Sequence, residues 1–286
     1  MAQRDNDRFL FIHVMKTGGT SFTDVLSANF KDYQQYPETC LMPDSGFMRR
    51  MEAYMYLPQL VADVNTLDGQ LSMVRAHVPY AVRALLKQNF RVLTILRNPI
   101  DRTLSYLKHA RKYHPENSDM DLEQIYEDSW LNASFIRNYQ TKIFSMSTEE
   151  ALVRNHLPSG APELPSALEL DKGQPLSEEI DTFRKLFPTR FVWGLFAPCT
   201  RTINVDSNRL SIAKENLAAV ELVGVTEHYD RFLKQLADRY GWKTGDARHL
   251  HAGEQDTTIS SEFRTRIAAD NEFDMELYEY AISLTS

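Results

Sequence analysis

Residues 11–22, FIHVMKTGGTSF, constrain the fold more than any other stretch of the chain. An apolar run gives way to Lys-Thr-Gly-Gly-Thr-Ser and then resumes, the order expected of a strand, a tight turn and a helix start. FLFIHV (9–14) is joined by four more short runs rich in β-formers: LSMVRA (71–76), RVLTIL (91–96), FVWGLF (191–196) and VELVGV (220–225). All five read as buried parallel strands. Helical spacing intervenes, with Phe22, Val25, Leu26 and Phe30 after the glycines and Val82, Leu85 and Leu86 after Pro79. The alternation predicts an α/β fold of three layers: a central, mostly parallel sheet of about five strands, a P-loop-like phosphate turn and a helical cap.

The tetrapeptide NPID (98–101) offers Asn98 as an N-cap and Pro99 at the first helical position, so a helix is expected directly after the strand ending at Leu96. Between Lys112 and Pro188 no strand is expected, and helix-like segments at 121–128, 134–154 and 176–187 supply the cap. Segments 209–218, 229–240 and 260–283 are helical again. Residues 31–70 carry the least decidable pattern and, with 113–190, are assigned to the acceptor side of one domain spanning 1–286.

The chain has 286 residues, 43% hydrophobic and 25% charged, enough to bury a sizeable core. Its formal net charge of −7 argues against a nucleic-acid partner, because a phosphate-backbone grip needs a broad basic surface. Within residues 91–112, however, six Arg or Lys face the single acid Asp101, a focus suited to a small polyanion. Cys40 and Cys199 lack metal-ligand spacing and give no disulfide framework, so no metal is expected. The N-terminal apolar run is too short for a signal sequence or a transmembrane segment, and a cytoplasmic location is expected.

Gly18 and Gly19 permit close backbone approach, so successive N–H groups can point inward while the helix presents its positive end. Lys16 and the hydroxyls of Thr17, Thr20 and Ser21 add donors. A glycine pair also serves a turn that needs it for geometry alone. A P-loop NTPase places its lysine after the last glycine, whereas Lys16 precedes both, and neither VLTIL nor VELVGV ends in the Asp of a metal-binding strand. A Mg²⁺-dependent kinase is therefore the least favoured reading.

A second anion site is expected at LRNPIDRTLS, with Arg97 at a strand's carboxyl end and Ser105 on the following helix. Together the two motifs resemble sulfotransferases that use 3′-phosphoadenosine 5′-phosphosulfate (PAPS). The likeness is to the branch with a Pro-Lys-Thr-Gly-Gly-Thr-Ser loop, which includes the heparan sulfate 2-O-sulfotransferases. Here Met15 stands where that branch has Pro. The resemblance implies that Lys16, Thr17, Gly18, Gly19, Thr20 and Ser21 bind the 5′-phosphosulfate, and that Arg97 and Ser105 bind the 3′-phosphate. VGVTEHYD (223–230) and LYEYA (277–281) are similar to two further family stretches.

Sulfuryl transfer needs an aligned acceptor, a base, and cations on the leaving phosphate. Lys16 is the candidate for the leaving phosphate. His77, directly after a strand in VRAHVPY, resembles the histidine regarded as the base in the 2-O-sulfotransferases; an imidazole that merely caps the next helix or bonds to backbone is the competing reading. His13 reads as a packed strand residue, and His109 and His114 as surface. Glu227 reads as an orienting or a packed carboxylate. Trp130, Tyr139 and Trp193 are candidates to stack on adenine, although such aromatics are more often core. Arg248, in a late loop, is a further candidate for the 3′-phosphate. The acceptor stays open among small molecules, glycans, lipids and peptides. A non-catalytic nucleotide-binding module is the alternative to an enzyme.

Overall fold

The computed structural model describes residues 7–37, 46–67, 69–153, 167–245 and 259–285. Its center is a five-stranded sheet, β1 (Phe9–Ile12), β2 (Gln35–Tyr36), β3 (Met73–Ala76), β4 (Arg91–Leu96) and β5 (Leu222–Val225), in the order β2-β3-β1-β4-β5. Every neighboring pair is parallel. The registers Ile12↔Ala76, Ile12↔Thr94 and Leu96↔Val225 bring the carboxyl ends of β1, β3, β4 and β5 to one edge. That edge is where ligands collect in open parallel sheets.

Strand residues alternate between two cores. Leu10, Ile12, Val74, Ala76, Val92 and Leu96 join one cluster. Phe9, Phe11, Met73, Leu93 and Ile95 join the other, against Phe22, Val25, Leu26 and Phe30 from helix α1 (Gly19–Asn29). Burial on both faces is why these strands are apolar throughout rather than alternating with polar residues.

Several sequence expectations change. FVWGLF is not a strand; it lies in the helix Pro188–Phe196, where Pro188 occupies the first turn and Phe191, Leu195 and Phe196 pack on Met55 and Ile180. A short apolar run has no period that separates a strand from a helix buried on several sides, and the first-turn proline favored the helix. The fifth strand is instead the two-residue β2, too short to carry a period. After Pro79 the chain makes only a 3₁₀ turn, Tyr80–Ala84. The undecided region 31–70 also supplies two helices, α2 (Phe47–Met55) and α3 (Leu57–Thr66).

The proline-initiated helix α4 (Pro99–Tyr113) forms as expected, with the Asn98 side chain accepting from the backbone N–H groups of Ile100 and Asp101. The segment 134–154 is broken instead of continuous: a π-turn (Asn132–Ile136) leads to Asn138 at φ 49° and then to the helices Tyr139–Ser145 and Thr148–Leu152. The C-terminal segment likewise divides at Asn271 into Ser261–Asp270 and Glu272–Leu284. The two breaks meet. Asn138 N–H donates to Asn271 Oδ1 at 2.8 Å, and Asp274 N–H donates to Asn138 Oδ1 at 3.1 Å.

Asp274 then accepts from the backbone N–H groups of Gln140 and Thr141 at 3.0 and 2.7 Å and from the Thr141 hydroxyl at 2.7 Å. A carboxylate from one helix thus satisfies the otherwise unpaired first-turn N–H groups of another. Asp274 is completely buried. Asp274→Ala is expected to destabilize the fold by about 3 kcal/mol or more, because several buried donors lose their acceptor at once, and urea unfolding measures it.

Candidate active site

The turn after β1 departs from ordinary backbone twice, at Lys16 (φ 69°) and Gly18 (φ 87°). A left-handed lysine is strained, and alternation of this kind curls successive N–H groups into an anion-binding concavity. Gly18 occupies the N-cap position of α1 with no side-chain cap. Gly19 serves a different need: a Cβ there would stand 1.8 Å from Nε2 of His13. One glycine answers to backbone conformation, the other to the close approach of a ring.

The turn's side chains do not all face outward. Thr17 is completely buried, and its hydroxyl donates to the Val14 carbonyl at 2.8 Å. The expected hydroxyl donor is therefore committed to the protein. Ser21 and Lys16 are half-buried. Among the described residues Lys16 has no carboxylate partner; burial, then Arg97 and Arg102, lower its pKa. Thr20 lies in the first turn of α1.

The second motif reaches the first directly. Arg97 follows β4, and its guanidinium donates to the Lys16 carbonyl at 3.3 Å. Its backbone is clamped by the Gln140 amide, which accepts from Arg97 N–H at 3.1 Å and donates to Arg97 O at 2.9 Å. Ser105 is half-buried on α4, two turns beyond Arg97. Arg248 lies outside the described residues.

His77 follows β3 at the same edge. Its Nδ1 lies 2.5 Å from the His13 carbonyl, an acceptor, so Nδ1 carries the proton and Nε2 keeps its lone pair. The ring stacks on His13 at 4.2 Å, meets Tyr54 of α2 edge-on at 4.7 Å and stands 6.5 Å from Trp193. Burial lowers the His77 pKa; the bond to the His13 carbonyl opposes this, and the cations Arg75 and Lys16 add to it, giving a value of about 4.

Other candidates are resolved by their contacts. His13 is packed as expected, between Phe11, His77 and Gly19. His114 is not at the surface; it is 3% exposed and packs against Tyr106, because the chain turns inward after α4. His109 is half-buried, with its pKa lowered by burial and then by Lys16 and Lys112. Glu227 accepts from Asn98 N–H at 3.1 Å and bonds the Tyr278 hydroxyl, which explains the VTEHYD and LYEYA stretches as structural pins. The Thr226 hydroxyl bonds the carbonyls of Leu96 and Thr17 at 3.1 and 3.4 Å, tying β5 to β4 and the turn. Tyr139 is buried beneath Arg102, and Trp130 packs on Phe135. Trp193 stands on the His77 side of the crevice. Sequence reasoning missed Tyr54 and Gln140, which belong to no spacing that announces a site; Thr226 lies in the quoted VGVTEHYD stretch, where no role was assigned to it.

Gly19→Ala is expected to cost about 1–3 kcal/mol by forcing the His13 ring aside, and removing that ring in a Gly19→Ala, His13→Ala double variant is expected to cost less than the sum of the two single losses. Thermal or urea unfolding of the four proteins measures the difference.

The geometry unites a phosphate-type turn, an arginine that touches it and a histidine whose Nε2 has no hydrogen-bond partner among the described residues, at one sheet edge. Residues 6–152 match the family model described as Sulfotransferase domain. No curated protein matches the chain. The match spans just over half of the 286 residues, and the protein belongs to the sulfotransferase family.

Proposed function

We propose that this sulfotransferase takes its sulfuryl group from PAPS and passes it to a hydroxyl or amine acceptor, with Lys16 and His77 as catalytic residues. The observation that carries the reading is the contact between Arg97 and the Lys16 carbonyl, which joins two anion sites into a clamp for a ligand with two separated phosphates. The backbone N–H groups of Thr17, Gly18, Gly19, Thr20 and Ser21, with Lys16, bind the 5′-phosphosulfate, and Arg97 and Ser105 bind the 3′-phosphate. The relation to the heparan sulfate 2-O branch rests on the Lys16–Ser21 turn and on His77.

PAPS supplies an activated sulfuryl group on a phosphate leaving group. His77 Nε2 takes the acceptor proton as the acceptor oxygen or nitrogen bonds to sulfur and the bond from sulfur to the bridging oxygen breaks. Lys16 stabilizes the negative charge that develops on the departing phosphate. The acceptor approaches between α2 and the Pro188–Phe196 helix, a reading supported by Tyr54 and Trp193, which those helices hold beside His77. Residues 31–70 and 113–190 then belong to the acceptor side of a single unit.

Arg97→Ala is expected to weaken adenosine 3′,5′-bisphosphate (PAP) binding in calorimetry, whereas His77→Ala retains binding and slows turnover by roughly 100-fold or more. No heat at high micromolar PAP in the parent protein contradicts the clamp. Unchanged turnover in His77→Ala places the base elsewhere.

The base must be unprotonated, and the His77 pKa lies at about 4. In the free enzyme kcat/KM for PAPS should therefore rise with pH through about 4 and be level across 6.5. The bound nucleotide's negative charge favors the imidazolium, so the acid limb of kcat should lie at higher pH than that of kcat/KM. PAP release with water as acceptor gives both profiles, and coincident limbs near 6.5 contradict the assignment.

A further inference from the structure

His77 belongs to a closed ring of hydrogen bonds that draws on three elements. Its backbone N–H donates to the Tyr54 carbonyl at 2.9 Å, its Nδ1 to the His13 carbonyl at 2.5 Å, and His13 Nδ1 bonds the Tyr54 hydroxyl at 2.6 Å. The members come from the end of β1, the end of β3 and the last turn of α2.

The bond from Nδ1 sets which nitrogen of His77 carries the proton only while the ring stays aligned with the His13 carbonyl, and by itself it leaves the ring free to tilt out of that line. Stacking on His13 at 4.2 Å and 30° removes the freedom, provided that the His13 ring is itself fixed. Two things fix it: packing between Phe11 and Gly19, and the bond from Nδ1 to the Tyr54 hydroxyl. That hydroxyl is the one side-chain hydrogen-bond partner of the His13 ring among the described residues. The Tyr54 ring also closes the edge of His77 at 4.7 Å and 79°.

The geometry points to Tyr54 as a positioning residue that acts through His13 to hold the His77 ring with Nε2 toward the acceptor, a role that rests on His77 being the base. The proton of the acceptor still goes to His77; Tyr54 and His13 neither gain nor lose one. Tyr54 belongs to α2, whose neighbor Met55 packs in the cluster of Phe191, Leu195 and Phe196, so the cap helix that carries Trp193 and the orientation of the base share one support.

Tyr54→Phe removes the hydroxyl and keeps the ring. With water as acceptor and PAP release as the readout, it is expected to lower turnover by about tenfold to a hundredfold while PAP affinity stays unchanged. Imidazole ¹⁵N shifts should report His77 as the Nδ1–H form in the parent protein and as a mixture of tautomers in Tyr54→Phe. In a His77→Ala background, Tyr54→Phe should have no further effect on turnover, because the group it positions is gone. Parent-like turnover and ¹⁵N shifts in Tyr54→Phe overturn the inference, as does an equal loss with and without His77. Full turnover in His77→Ala alone defeats the base assignment instead. The ¹⁵N measurement then still decides whether Tyr54 orients the ring.

Discussion

Arg97, the cation that touches the anion turn, hydrogen-bonds a backbone carbonyl instead of a carboxylate among the described residues, and the site depends on that choice. Arg97 donates to the Lys16 carbonyl, buried Arg102 to the carbonyls of Phe135 and Ile136, and buried Lys142 to that of Ala133. A carboxylate bonded to Arg97 would hold it but cancel its charge, as the nearby Asp274 carboxylate partly does for Arg102 and Lys142. A carbonyl dipole holds Arg97 and leaves most of the field intact for an anion. Burial and mutual repulsion make the arrangement costly, as the lowered pKa values of Lys16 and Arg102 register. The scaffold offsets that cost with well-satisfied helix ends, Asp274 foremost, and with Gln140, which links the Asp274 network to the Arg97 backbone.

The parallel sheet turns this chemistry into a site. Consecutive strands end at one edge, so residues far apart in sequence, Lys16 after β1, His77 after β3 and Arg97 after β4, meet without any one loop having to reach across. Thr226 and Glu227, after β5, pin the edge from the far side through the carbonyls of Leu96 and Thr17 and the N–H of Asn98. Sulfuryl transfer needs donor, acceptor and base in line, and rigid strand ends provide that alignment at low entropic cost.

Much of this was legible in the sequence because it is local. The turn KTGGTS and the cap NPID each pair a backbone requirement with the residue type that meets it, and both formed as read. What escaped depends on packing. FVWGLF is apolar because the cap surrounds it, a condition identical in composition to a buried strand. Thr17 sits among outward donors in the sequence, yet its hydroxyl turns in to Val14. His114 has polar neighbors in the chain but is buried in space against Tyr106. Tyr54 lies in a stretch with no readable period, and only the fold brings its hydroxyl to His13 across 41 positions.

On the proposed reading, one ligand with two phosphates bridges the turn at Lys16–Ser21 and the stretch from Arg97 to Ser105. A crystal structure with PAP tests it most directly. The 5′-phosphate is expected on the N–H groups of the turn, the 3′-phosphate on Arg97 and Ser105, and His77 Nε2 facing the vacant sulfuryl position. Both phosphates on one motif, or a nucleotide bound away from the sheet edge, would contradict it.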